Sequence, residues 1–386
     1  MTRLSTALLP LIATGCDLFF PSPDDSAVDT ATHAACSGEA ARIGAATFAT
    51  LQSALTGASS GDTVDVCPGV HAGPFEITTA GTLTLRSVSG DPSDTVLDGG
   101  GTSRVLTIDD TASVVLRGLT IANGHDEYEA GGVYAAGVPW LVIDGCVFED
   151  NVAKYGGGGL VAYTAAGSAG SIVITNSTFQ RNSAGYEAGA AILGMRWDPV
   201  AVEITDSVFL DNLAGYSGGA LLVAPSFGEL TVDNCRFENN TAPTEGGAVS
   251  LGSWGEVKAD FIETEFLNNS ATTGGALLYG GWVVGSVTLL DCVARDNIGS
   301  SGSAYSFGVS GSHKTDGVVE IIGGSVHANT GGKALCADEW FGVTVDNVDF
   351  GTGPDDNPSG DICGCGDWGV GASFRYDPGA GVYCVP

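Results

Sequence analysis

The chain has 386 residues, 59 of them glycine, with 44% apolar and only 15% charged residues and no linker dividing it, so one repetitive unit fits better than two or three domains. Its 14 Lys and Arg stand against 45 Asp and Glu, and a net charge of −31 excludes a phosphate-binding surface and nucleic acid as a partner. The same balance suits solubility outside the cytoplasm and is compatible with cation binding. Residues 1–15 read as a secretion signal: Arg3 gives a positive start, and Ala7 to Ala13 (ALLPLIA) form an apolar stretch too short for a permanent membrane span. Residues 16–35 are small, polar and acidic, especially Pro21 to Ala35, and predict a flexible tether.

Next, Phe48, Leu51 and Leu55 fall on one face of a short predicted helix with Thr47 as its N-cap. Such a helix would cover the open end of a stacked structure, which is otherwise an aggregation edge. The stretches GDTVDVCPGVHAGPFEIT, TLTLRSVSGDPSDTVLDGG and SRVLTIDDTASVVLRGLTIANG then read as irregular strand-rich coils.

From Ile121 onward a repeat is legible. FxxN recurs as Phe148/Asn151, Phe179/Asn182, Phe209/Asn212, Phe237/Asn240 and Phe266/Asn269, with weaker copies at Ile121/Gly124, Ala294/Asn297 and Val326/Asn329. The spacings of the last residues are 27, 31, 30, 28, 29, 28 and 32. A glycine motif follows each copy, at Gly131, Gly157, Gly189, Gly218, Gly246, Gly274, Gly302 and Gly332. Between the motifs apolar residues alternate with period two, the signature of strands: Leu230 and Val232 point in, then Asn234 breaks the pattern, and Cys235 and Phe237 point in again. The break falls on Gly145, Asn176, Asp206, Asn234, Glu263, Asp291 and Gly323, mostly residue types that tolerate a left-handed backbone. Three short strands per ~29 residues, stacked at ~4.8 Å per coil, predict an all-β, single-stranded right-handed parallel β-helix of about ten coils over residues 36–350, with residues 351–386 as a C-terminal cap. The stacking places phenylalanines in a core ladder and the asparagines in a turn ladder, where they satisfy backbone and each other.

Three resemblances add to this. ATGC at the end of the signal, with Cys16 after Gly15, resembles the bacterial lipobox, although Ala13 stands where Leu is commoner. It implies lipid attachment at Cys16 and an envelope location, in the outer membrane or at the cell surface. FxxN with GGA[ILV] resembles the repeat of the polymorphic outer-membrane proteins. The stretch from FATLQSALTGASSGDTVDVCPGV to GLTIANG resembles right-handed β-helix proteins of the pectin-lyase-like superfamily. Together the last two cover about Phe48 to Phe350. They imply the fold and leave activity open, because lyases, hydrolases, adhesins and passive surface proteins share it. Fewer than sixty residues follow the last coil, too few for the membrane barrel of autotransported relatives, so no barrel is expected.

Of ten cysteines, Cys16 goes to lipid on this reading. Cys146, Cys235 and Cys292 share one inward repeat position, two or three coils apart, or roughly 10–14 Å at the strand spacing, too far for a bridge. They are expected to be buried free thiols. Cys36, Cys67, Cys336, Cys363, Cys365 and Cys384 lie near the two ends and are disulfide candidates, with Cys36–Cys67 at the N-terminal end and the other four at the C-terminal one. Zinc at Cys363, Cys365 and Cys384 is the disfavoured alternative, because CxC lacks the usual spacing and no His is near.

In pectin-lyase-like enzymes substrate crosses one parallel sheet, to which the strand after the glycine motif corresponds here. Those strands (GVYAA, GLVAY, AILGM, ALLVA, AVSL, ALLYG, AYSF) hold no Asp, Glu, Arg or His, so no catalytic residue is assigned. Asp126, Glu127 and Glu129, with His125, Glu187, Arg196 and Asp198, remain in the loops. The acidic trio would be the place for Ca2+; solvated loop charge is the alternative, and no other cofactor is expected. Tyr128, Tyr155, Tyr186 and Tyr216 precede the glycine motif in four successive coils. Trp140, Trp197, Trp254, Trp282 and Trp340 follow it by eight or nine residues, as does Phe227. Two aromatic rows flanking the sheet suit an extended glycan; aromatics sealing the coil corners are the alternative. The leading expectation is a monomeric, lipid-anchored surface protein that binds polysaccharide or a surface protein without catalysis. A polysaccharide lyase or glycoside hydrolase, and a purely structural coat protein, are the other two classes.

Overall fold

A computed structural model describes residues 36–386 except 110–111, 165–169, 253–256, 281–284, 309–316, 338–340, 352–355, 358–361, 363–373 and 377–386. The described chain is a parallel β-solenoid of about nine turns with very little helix. Strands β1 (Ala41–Ile43) and β2 (Ala46–Phe48) pair antiparallel, and β1 also lies antiparallel to β3 (Thr63–Val66). Helix α1 (Leu51–Gly57) lies between β2 and β3. Its cap is Thr50, whose hydroxyl accepts from the Ser53 N–H at 3.2 Å; Thr47 is not the cap, because it pairs with Arg42 in the β1–β2 hairpin. Leu51, Ala54 and Leu55 are buried in the core, while Phe48, still in β2, is only partly buried against it. Gln52 ties α1 to the strand Phe75–Ile77 by two hydrogen bonds with the Glu76 backbone, at 2.9 and 3.1 Å.

Each coil then lays down the same strands. The strand after the glycine motif runs as Val133–Val138, Leu160–Thr164, then through Ala191 and Leu221 to Val249–Leu251, Leu277–Tyr279 and Tyr305–Phe307, all parallel and in register. The pairing Val133–Leu160–Ala191–Leu221 fixes the alignment of the motifs. Gly131 and Gly189 are therefore equivalent to Gly158 and Gly219, one position later than a match on the first glycine suggests. Ala130 and Ala188 hold the left-handed site (φ 57° and 51°) that Gly157 and Gly218 hold in neighbouring coils.

The second and third strands stack likewise, and the residue between them is left-handed at every expected break, with φ from 47° to 66°. The five phenylalanines form a stack with ring centroids 4.5, 5.0, 4.7 and 5.3 Å apart. Burying a phenyl ring is worth roughly 1.5–3 kcal/mol, and a coil alone could not bury it; neighbours above and below supply both ring faces.

The asparagine column is continuous from Asn151 to Asn357. Each backbone N–H donates to the side-chain Oδ1 of the next coil's asparagine at 2.9–3.2 Å as far as Asn329. Each Nδ2 donates at 2.9 Å to a carbonyl of the coil before, Ile121 for Asn151 and Phe209 for Asn240. Asn357 carries the ladder one coil past the last legible FxxN copy, and Phe374–Tyr376 adds a further parallel strand against Val343–Val345.

Two features differ from expectation. A fourth, two-residue strand follows the asparagine (His125–Asp126, Val152–Ala153, Ser183–Ala184, Leu213–Ala214) where a loop was expected. The segments after the glycine-motif strand are not always loops either: Ala191–Thr205 and Leu221–Asp233 are single strands running straight into the second strand position. The inward positions change parity across the join, from Ala191 and Leu193 to Val200 and Val202 and from Leu221 and Val223 to Leu230 and Val232, and the pairing shifts register there while the strand continues.

Candidate ligand-binding face

The glycine-motif strands turn apolar side chains outward as well as inward. Val161, Tyr163, Ile192 and Leu222 form a second buried cluster with Ala130 and Ala188, with Tyr134, Ala136 and Ala224 packed against it. Leu278, Ser250 and Ser306 take outward positions in later coils and are also buried. None of these outward positions holds a carboxylate or a basic group.

The tyrosine row is a column. Tyr155 N–H donates to the Tyr128 carbonyl at 2.8 Å, Tyr186 to Tyr155 at 2.9 Å, and Tyr216 to Tyr186 at 2.7 Å. Tyr128, Tyr155 and Tyr186 are 70%, 51% and 49% exposed, so packing does not account for them. The rings stack along the solenoid axis, Tyr128 on Tyr155 at 6.1 Å and 15° and Tyr186 on Tyr216 at 4.9 Å and 12°. Their faces are therefore turned towards each other, and the column offers ring edges and hydroxyls to solvent.

The tryptophan row does not form a matching column where it is described. Trp140 opens the strand Trp140–Asp144, half-buried, opposite Ser171, which faces Ala201 in the next coil. Trp197 lies four residues before Ala201 within Ala191–Thr205, in a different register; its side chain is outside the described residues, as is that of Phe227. Trp254, Trp282 and Trp340 lie outside the described residues.

Beside the tyrosines runs a column that sequence spacing had concealed. Glu129, Gly156, Glu187, Ser217, Glu245, Thr273 and Ser301 bridge in parallel, one per coil, so a glutamate recurs at every second coil from Glu129 to Glu245. Glu187 had stood out only as loop charge and Glu245 not at all; the shared signal is a position one or two residues before the glycine motif. Tyr163 Oη donates to the Glu129 carboxylate at 3.0 Å. Burial, and then the charges of Glu129 and Glu245, push the Glu187 carboxyl above its ordinary value; burial does the same to Glu245. The Glu245 charge in turn raises the Tyr216 phenol.

Asp126, Glu127 and Glu129 are not brought together. Asp126 pairs with Arg104 at 3.0 Å and accepts from the backbone N–H groups of Tyr128 and Glu129. Glu127 faces His125 and Lys154 at 3.4 Å, and hydrogen bonds from the two hold its carboxyl below its usual value. Among the described residues the one cluster with metal-ligand spacing is Cys36, Glu39 and Cys67, and both sulfurs there are in a disulfide.

Cys36 and Cys67 are bonded with Cα atoms 5.9 Å apart. Cys336 is disulfide-bonded, while Cys363, Cys365 and Cys384 lie outside the described residues. Cys146, Cys235 and Cys292 are free and buried, and desolvation pushes each thiol up to about 12. Thiolate chemistry is closed to them.

No curated protein and no solved structure gives a significant match to the chain. Residues 234–252, which run from a left-handed turn through Phe237 and Asn240 to the glycine motif and its strand, match the Chlamydia polymorphic membrane protein (Chlamydia_PMP) repeat.

Proposed function

We propose that the chain is a surface-displayed, non-catalytic scaffold that binds an extended polysaccharide along its tyrosine column. The observation that carries this is the exposure of stacked tyrosines in successive coils, a surface aromatic row of the kind that marks interaction sites. Ring edges and hydroxyls recurring in four successive coils offer a polymer several weak contacts, which add as avidity. The polymorphic-membrane-protein repeat supports display at a bacterial surface, and the lipobox-like ATGC supports a lipid anchor at Cys16.

The test is retention of the full chain on immobilised neutral, amino and acidic polysaccharides. Replacing Tyr155 and Tyr186 together by Ala is expected to lower retention at least tenfold with the unfolding midpoint unchanged, since both side chains are half-exposed. Unchanged retention would sink the proposal, and new reducing ends or unsaturated products would assign an enzyme instead. The anchor has its own readout: Cys16→Ser is expected to shift the protein from the membrane to the soluble fraction, and continued membrane association would exclude lipid at that position.

A further inference from the structure

Resting on that reading, we infer that the preferred polysaccharide carries free amino groups, held by the glutamates that alternate beside the tyrosines. Glu129, Glu187 and Glu245 are spaced two coils apart, or ~9.6 Å at the strand spacing; Glu129 and Glu187 each follow a tyrosine of the column, and the Glu245 N–H donates to the Tyr216 carbonyl at 3.2 Å, close enough for its charge to raise that phenol. A polymer lying on Tyr128, Tyr155, Tyr186 and Tyr216 would meet a carboxylate at every second coil.

Charge decides the class. Among the described residues, few groups face this line from neighbouring elements. Arg104 is engaged by Asp126 and by the carbonyls of Glu129 and Ala130, and it lies over the Tyr134 ring at 4.6 Å. Lys154 sits outside, against Glu127. Tyr163 donates to Glu129. No described cation pairs with Glu187 or Glu245, although both are partly buried. A half-desolvated carboxylate without a counter-ion is costly, and an ammonium group placed beside it would remove that cost. A uronate polymer would meet the reverse: like charge on this line and a chain of net charge −31 behind it. A neutral polymer would use the tyrosines and leave the glutamates unpaired.

The experiment is calorimetric titration of the full chain, near neutral pH and low salt, with three hexamers: β-1,4-linked glucosamine, its fully N-acetylated form, and a uronate. The glucosamine hexamer is expected to bind at least tenfold tighter than the N-acetylated one, with the advantage shrinking as salt rises; the uronate is expected not to bind. Glu187→Gln with Glu245→Gln is expected to abolish the tenfold preference, whereas Glu203→Gln, on an exposed site of the second strand, should preserve it. Equal binding of the two glucosamine hexamers, a preference that survives the double substitution, or competition by the uronate would overturn the inference while leaving polysaccharide binding intact. Failure of all three hexamers to bind would overturn both. Unfolding midpoints of the variants guard against a folding artefact, and Glu→Gln at half-buried, unpaired sites should leave them level or slightly raised.

Discussion

Asn240→Ala is expected to lower the stability of the solenoid by about 4 kcal/mol, from ~1–3 kcal/mol for each buried polar group left without a partner. Asn240 is fully buried. Its Nδ2 donates to the Phe209 carbonyl and to Asn269 Oδ1, and its Oδ1 accepts from both the backbone N–H and the Nδ2 of Asn212. Alanine leaves the Asn212 N–H and the Phe209 carbonyl facing a space too small and apolar to be well hydrated. The loss is not confined to one coil, because the same amide joins three. In a solenoid, stability is approximately a sum of coil and neighbour-interface contributions, and this substitution weakens two interfaces at once. Asn240→Asp keeps the size but turns a carboxylate oxygen towards the Phe209 carbonyl and Asn269 Oδ1, so it should be at least as damaging. Urea unfolding followed by far-ultraviolet circular dichroism is the measurement. A loss under about 1 kcal/mol, the worth of one ordinary hydrogen bond, would mean that the ladder is dispensable.

That ladder was legible in the sequence because its physical demand is strict. A buried turn in every coil needs a side chain that both donates and accepts, and only an amide of this length reaches both partners; hence Asn at position after position. The phenylalanine stack and the left-handed breaks at Asn176, Asp206 and Asn234 were legible for similar reasons. A second left-handed column, at Asp150, Arg181, Asp211, Asn239, Asn268, Asp296 and Ala328, was not. There Asp and Asn again predominate, but the position is interrupted by Arg181, held by Glu149 and Asp150 of the previous coil, and by Ala328, and it lies among exposed polar residues rather than at a break in an apolar alternation.

The binding face was legible only by half. The tyrosines repeat at a fixed offset from the glycine motif and so announce themselves. The glutamates alternate with Gly156, Ser217 and Thr273, so their period is two coils, and a search for a property present in each repeat passes over them. Of the tryptophan row, Trp140 and Trp197 alone are placed, and they differ in register. Equal distance from the glycine motif does not guarantee equal register once segments between strands vary in length and join: Trp140 begins a strand, and Trp197 sits inside one.

The glycine motif itself holds two different constraints, and separating them gives the second large effect. Adding a Cβ at Gly131, Gly158, Gly189, Gly219, Gly247 or Gly275 would bring it within 1.9–2.4 Å of a backbone carbonyl in the next coil. At Gly219 the nearest atoms are the Gly247 carbonyl oxygen at 1.9 Å and the Thr241 backbone from 2.6 Å, none of which can swing aside. Gly219→Ala must therefore push two coils apart or tilt them, and a loss of about 3 kcal/mol or more is expected, at the upper end of overpacking costs. Gly218, one residue earlier, is constrained by its left-handed backbone (φ +65°) and by its own coil rather than the next, since an added Cβ would lie 2.7 Å from the Leu221 carbonyl oxygen. That strain costs roughly 1–2 kcal/mol in a residue with a side chain, and Ala130 and Ala188 already occupy the same site in other coils. Gly218→Ala should accordingly lose only about that much. Gly252, with nothing nearer to its added Cβ than Leu222 Cδ1 at 3.9 Å, should accept alanine without measurable loss. Where the close-approach column reaches Ser303, the hydroxyl bonds to the carbonyls of Gly332 and Lys333, both at 3.2 Å, so a side chain enters there only with a hydrogen bond in place of the contact. Thermal and urea unfolding of the three alanine variants should rank them Gly219, Gly218, Gly252 in decreasing damage. Equal losses at Gly218 and Gly219 would show that the motif serves backbone conformation alone, and that the coils can part to admit a methyl group.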